Sequence, residues 1–136
     1  MYKAKIILLF FILFSACIVH AGSVKKAFAA LHVYNYFEAK RLFEKAMKKE
    51  IAAASYGLSN IYYRNDNPFF NIDTAYKYIL IADDAFQLVS LKKRAVYQKY
   101  FFTQYTIDSV KNEIYKRAFN VYKKNNSIAE LNKFIE

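Results

Sequence analysis

Tyr36-Phe37-Glu38-Ala39-Lys40-Arg41-Leu42-Phe43-Glu44-Lys45-Ala46 decides the fold, because Ala39, Phe43 and Ala46 step by four and then three and so share one side of a helix. The same spacing returns 36 residues later in Ala75, Ile79 and Ala82, and a looser copy, Val110 and Ile114, follows after a further 35. A period in this range marks stacked helical hairpins, units that cannot bury their apolar side alone.

Working outward, Ser23 is placed to cap a helix through Val24, Phe28, Leu31 and Tyr34, and Asn35 forms a turn. The next helix, over 36–49, carries Ala39, Leu42, Phe43, Ala46 and Met47 as its apolar stripe, with Glu38, Lys40, Arg41 and Glu44 away from it. So short a turn makes the two helices antiparallel, each covering the other. A third helix over 51–63 presents Ala52, Ala53, Ala54 and Gly57, where a neighbour can approach closely. Gly57 costs about 1 kcal/mol in a helix interior, which a contact with no room for a Cβ offsets.

The run 64–71 breaks the pattern at Pro68 and forms a loop pinned by Phe69 and Phe70. Its oxygens lack the Gly and closing Glu of a calcium loop, so no metal is expected there. Asn71 or Asp73 starts a fourth helix with Ala75, Tyr78, Ile79, Ala82 and Phe86 inward. A fifth, from near Ser90, sets Ala95, Val96, Tyr97, Tyr100 and Phe101 beside Lys92, Lys93, Arg94 and Lys99, its rings packed in the core. Thr106 opens a sixth through Val110, Ile114, Ala118 and Val121. Ser127 and Glu130 then form a capping box for a seventh helix with Ile128, Leu131, Phe134 and Ile135, which has no C-cap before Glu136. The expectation is an all-α chain of six to seven helices in tandem hairpins over about 23–49, 51–86 and 90–124, with the start of a further helix at 127–136.

Composition agrees. Of 136 residues, only 2 are Gly and 1 is Pro, against an apolar content of 56%, which disfavours both a sheet-and-turn fold and disorder. The net charge of +10 includes Lys3 and Lys5 of an N-terminal leader. Basic excess fits a nucleic-acid or anionic-surface binder, but a lysine-rich solvated helical surface produces the same total. Basic residues interleaved with aromatics at 92–101 would bind single strands only with the rings exposed.

Residues 1–21 have the three zones of a secretory signal peptide: basic Lys3 and Lys5, an apolar run from Ile6 to Val19, and Val19-His20-Ala21 at the cleavage position. The run is too short to span a bilayer as a helix. An alternative is the lipoprotein-box-like Phe14-Ser15-Ala16-Cys17, which would make Cys17 a lipidation site. Export to the periplasm or cell envelope follows from either.

Chemistry has little to work with. After cleavage at Ala21, His32 is the only histidine and no cysteine remains. Ser55 and Ser59 sit within a helix without a base beside them, and Asp83 and Asp84, as helix neighbours, point about 100° apart. No phosphate loop exists, so no catalytic residue, metal or cofactor is expected.

The run 36–46, followed by Tyr56-Gly57-Leu58-Ser59-Asn60-Ile61-Tyr62 and then Ala75, Ile79 and Ala82, resembles tetratricopeptide repeats, in particular exported tetratricopeptide-like proteins of Bacteroidetes-type bacteria. Leu58, Ser59 and Tyr62 match the Leu, small and Tyr positions of that family's first helix. Ala39, Phe43 and Ala46, and less strictly Ala75, Ile79 and Ala82, match the small, aromatic and small positions of its second. The first copy lacks the Leu-Gly-Tyr signature, the second has an enlarged loop, and neither ends in the customary Pro. The resemblance implies a non-catalytic scaffold that holds a peptide or partner protein on a concave face, to which Ala53, Tyr56, Asn60 and Tyr63 would contribute. A structural N-terminal repeat module of a larger envelope protein is the alternative.

Overall fold

A computed structural model describes residues 21–124 and Asn132, and the described residues form six α-helices and no strand. They are α1 Ala21–His32, α2 Tyr36–Ala46, α3 Ile51–Tyr63, α4 Ile72–Gln87, α5 Leu91–Gln98 and α6 Gln104–Lys124. The signal-peptide zones, Cys17 and the 127–136 capping box lie outside the described residues; only Asn132 of that last segment is described, and it is helical. No helix among the described residues is long and apolar enough to cross a membrane.

Helix α3 is the post against which the rest is built. Every residue from Ala52 to Ser59 is buried, as is Ile61, because α1, α2, α4 and α6 all pack on this one helix. A helix of Ala, Ser and Gly can be surrounded in this way, since its thin side chains let several neighbours come close. Its buried hydroxyls keep partners: Ser59 Oγ donates to the Ala75 carbonyl at 3.0 Å and Ser55 Oγ to Met47 Sδ at 3.4 Å. Ala39, Phe43 and Ala46 of α2, and Ala75, Ile79 and Ala82 of α4, are all buried. The Phe43 ring lies flat over Gly57, where a Cβ would stand 2.2 Å from Phe43 Cζ.

Several boundaries differ from those the sequence suggests. Helix α1 spans Ala21–His32, so Ser23 lies inside it rather than at its N-cap position. Helix α2 ends at Ala46, three residues early, where Met47 begins the turn into α3. Asn71, not Asp73, caps α4, its Oδ1 accepting from Thr74 N–H at 2.8 Å. Thr103 opens α6 in place of Thr106, the two exchanging N–H to hydroxyl bonds of 2.9 and 3.2 Å.

In the 64–71 loop, Asn67 Nδ2 donates to the carbonyls of Ile61 and Arg64 at 2.9 and 3.0 Å. Phe69 packs edge-on to Phe37 with centroids 4.8 Å apart, whereas Phe70 faces solvent. One ring, not two, pins the loop.

The pairing expected over 90–124 is the largest correction. Helix α6 packs on α4 and α3, and α5 shares no extended contact with α6. The physical reason is that α5 buries a single residue, Tyr97. It is held instead by polar ties to the ends of other helices. Arg94 donates to the carbonyls of Phe86, Gln87 and Val89 at 2.9, 3.0 and 2.9 Å, closing the C-terminus of α4. Tyr97 OH donates to the Glu50 carboxylate, which also pairs with Lys93 at 2.8 Å. Burial, and then the carboxylate beside it, push the Tyr97 hydroxyl far above the ordinary tyrosine range.

Helix α6 is fixed to α4 by Asp83, which accepts from Gln104 Nε2 and Lys111 Nζ, both at 2.7 Å. Burial alone would raise that carboxyl, but these two bonds outweigh it and hold it below the usual range. Tyr122 OH adds a 2.8 Å bond to Asp73 Oδ1.

Candidate functional site

The register of the α5 end creates the site. The chain after Gln98 turns so that Phe102, not Phe101, enters the core, where it meets Tyr56, Phe86 and Tyr97 at centroid distances of 4.7, 5.0 and 5.0 Å. Phe101 is left 79% exposed, against the expectation that this segment's rings lie in the core, and Ala95 and Val96 also face outward.

The turn is a Schellman motif. Phe102 N–H donates to the Tyr97 carbonyl at 3.2 Å and Phe101 N–H to that of Gln98 at 3.1 Å, while the Tyr97 and Phe102 rings supply the apolar contact that accompanies it. Helix α1 ends in the same way, with Asn35 N–H on the Ala30 carbonyl at 2.9 Å and Tyr34 N–H on that of Leu31 at 3.1 Å. Asn35 then caps α2, its Oδ1 accepting from Glu38 N–H at 3.2 Å.

Both motifs place an aromatic residue where glycine is usual. Tyr34 at φ 59° and Phe101 at φ 56° are the only non-glycine residues in the left-handed region among those described. Each costs about 1 kcal/mol relative to glycine. Both rings are exposed, Tyr34 by 63%.

The two strained residues border one cleft. It has a volume of about 540 Å3 and lies between α1, α3 and the turn after α5, in the size range of ligand pockets. Lys25, Phe28, Ala29, Leu31 and His32 come from α1, and Tyr56, Asn60 and Arg64 from α3 and its end. Lys99, Tyr100 and Phe101 close the third side. Its floor is rigid and aromatic, with Phe28 stacked on Tyr100 at 5.6 Å and set edge-on to Phe43 at 5.0 Å. No Asp or Glu lines it, and three cations do.

Arg64 is partly occupied. It lies 5.4 Å from the Tyr34 ring centre, and its Nη1 donates to Tyr36 Oη at 3.3 Å, while Tyr36 OH donates to Asp66 at 2.8 Å. That bond from Tyr36 holds the Asp66 carboxyl below its usual range. Lys25 and Lys99 are exposed, and neither meets a carboxylate among the described residues.

Of the four residues assigned to a binding face, the structure brings only Tyr56 and Asn60 to this cleft. Ala53 is fully buried in the packing of α3 and cannot touch a partner. Tyr56 is 8% exposed, its ring spent on Phe102, so it forms floor rather than anchor; burial raises its hydroxyl above the ordinary range. Tyr63 is half-buried under Arg117, 5.4 Å from its ring, outside the cleft. Lys25, Tyr34, Lys99 and Phe101 escape a sequence reading by family position. The available signal is a pair of helix ends with no Gly to close them, in a chain that has 2 Gly in all.

No protein-family model matches this chain, and neither a curated protein nor a solved structure matches it.

Proposed function

We propose that the chain is an exported, non-catalytic binding module of the cell envelope, built from tetratricopeptide-like hairpins, that holds a peptide or partner protein in the cleft between α1, α3 and the α5 turn. The observation that carries the reading is the pair of left-handed aromatic residues, Tyr34 and Phe101, set on the same cleft with their rings in solvent. The Phe101 ring, exposed on a strained backbone, adds little to folding, whereas a binding surface gains from it, and strain of this kind gathers at functional positions. The stacking of hairpins is supported by the packing of α1 on α3 and of α4 on α6, each helix against the next but one. Export rests on the three-zone leader at 1–21.

Phe101→Gly separates the two roles. Relief of the left-handed cost, about 1 kcal/mol, offsets the added freedom of the unfolded chain, so the melting midpoint stays within a few degrees or rises. A benzophenone side chain at position 101 should form a discrete adduct in envelope extracts; one at Phe119, itself half-exposed, should not. Identical adducts from both positions would contradict the assignment, as would a midpoint in Phe101→Gly lower by about 10 °C, the shift that some 2 kcal/mol of folding role would give.

A further inference from the structure

The cleft offers positive charge that nothing in its own walls neutralises. Lys25 on α1 and Lys99 after α5 stand on two of its three sides and are exposed, and Arg64 completes the set from the end of α3. Elsewhere on the described surface five cations pair with carboxylates, Lys40 with Glu44, Arg41 with Glu38, Lys93 with Glu50, Lys111 with Asp83 and Lys116 with Glu113, while others such as Lys26, Lys45 and Lys92 stand singly in solvent; the cleft differs in gathering three cations in one lining that holds no acid. Unpaired cations over low-dielectric aromatic walls focus a positive field and select an acidic partner.

The rings decide between a peptide and a single-stranded nucleic acid. Stacked bases need a series of open ring faces along a charged groove. Here Tyr100 is already stacked on Phe28, and Tyr34 has Arg64 on its face and Tyr36 against its edge at 6.2 Å. Phe101 alone is uncommitted, with no ring or cation against it among the described residues, which suits one apolar side chain rather than a run of bases.

We infer that the cleft takes an acidic, extended segment of a partner protein, with carboxylates on Lys25 and Lys99 and an apolar or aromatic side chain against Phe101. This rests on the binding-module reading above and adds the chemistry of what is bound.

The test is selection of random peptides of about a dozen residues displayed against the immobilised, leader-free protein, followed by titration of the winners. Enrichment of sequences combining Asp or Glu with Phe, Tyr, Trp or Leu is expected, with affinity falling about tenfold when their acids become amides. The double variant Lys25→Glu, Lys99→Glu, whose two positions are exposed and whose fold is checked by its melt, should lose those peptides by about 100-fold and select basic ones instead. A structural role for the lysines would not reverse the preference.

Enriched peptides that are neutral or basic, yet lost in Phe101→Gly, overturn the acidic assignment and leave the cleft reading intact. Peptides insensitive to both variants overturn the cleft itself, and failure to enrich any sequence counts against the proposal. Displacement of the selected peptides by oligo(dT) at lower concentration than by the free acidic peptide would show that nucleic acid is the ligand and overturn the proposal.

Discussion

Gly57→Ala is expected to destabilise the protein by about 2 kcal/mol, a fall of about 10 °C in its melting midpoint, although alanine is the better helix former by about 1 kcal/mol. A Cβ at this position would meet Phe43 Cζ at 2.2 Å and the two Cε atoms at 2.4 Å. The ring cannot step aside, because Phe43 is fully buried and set edge-on to Phe28 at 5.0 Å. Urea melts of the four proteins in a Gly57→Ala, Phe43→Leu cycle isolate the cause. In the Phe43→Leu background the ring is gone, and Gly57→Ala should become neutral or stabilising. Additive losses in the double variant would mean that something other than the ring holds the glycine.

Phe102→Ala should cost more, about 4 kcal/mol, because it empties a fully buried aromatic position shared by three other rings. That is a large share of the 5–15 kcal/mol by which a domain of this kind is stable. The neighbouring Phe101→Ala should cost under about 1 kcal/mol, since its ring is in solvent. Equal losses at the two positions, or the reverse order, would show that the turn after α5 has the other register. Because Phe102 supports Tyr56 at 4.7 Å, its loss also removes the floor of the cleft, and binding should fall with stability in this variant but not in Phe101→Gly, where binding falls alone.

What could be read from the sequence was what depends on spacing. Ala39, Phe43 and Ala46, then Ala75, Ile79 and Ala82, step with the helix turn, and all six are buried. Gly57 was legible for the same reason: a glycine within a helix implies a close neighbour, here the Phe43 ring. What escaped was set by side chains meeting from distant segments. Tyr56 occupies a position that family resemblance assigns to a binding face, yet its ring is claimed by Phe102, some 46 positions away along the chain. The choice between Phe101 and Phe102 turns on where α5 stops, and its Schellman turn carries no glycine to mark it. The short α5 defeats pairing by periodicity because Arg94 and Tyr97 dock it through hydrogen bonds rather than an apolar stripe. The cleft draws on three separate segments, so no single stretch of sequence displays it.

The central structural claim is that α3 is enclosed on every side and that the hairpins, and the cleft above them, are hung on it. Native-state amide hydrogen exchange measures this directly. The account predicts that the amides of Ala54 to Ile61 exchange last, only through global unfolding, while those of α5 exchange through local opening at far lower free energy. Exchange in α3 as fast as in α5 would contradict it.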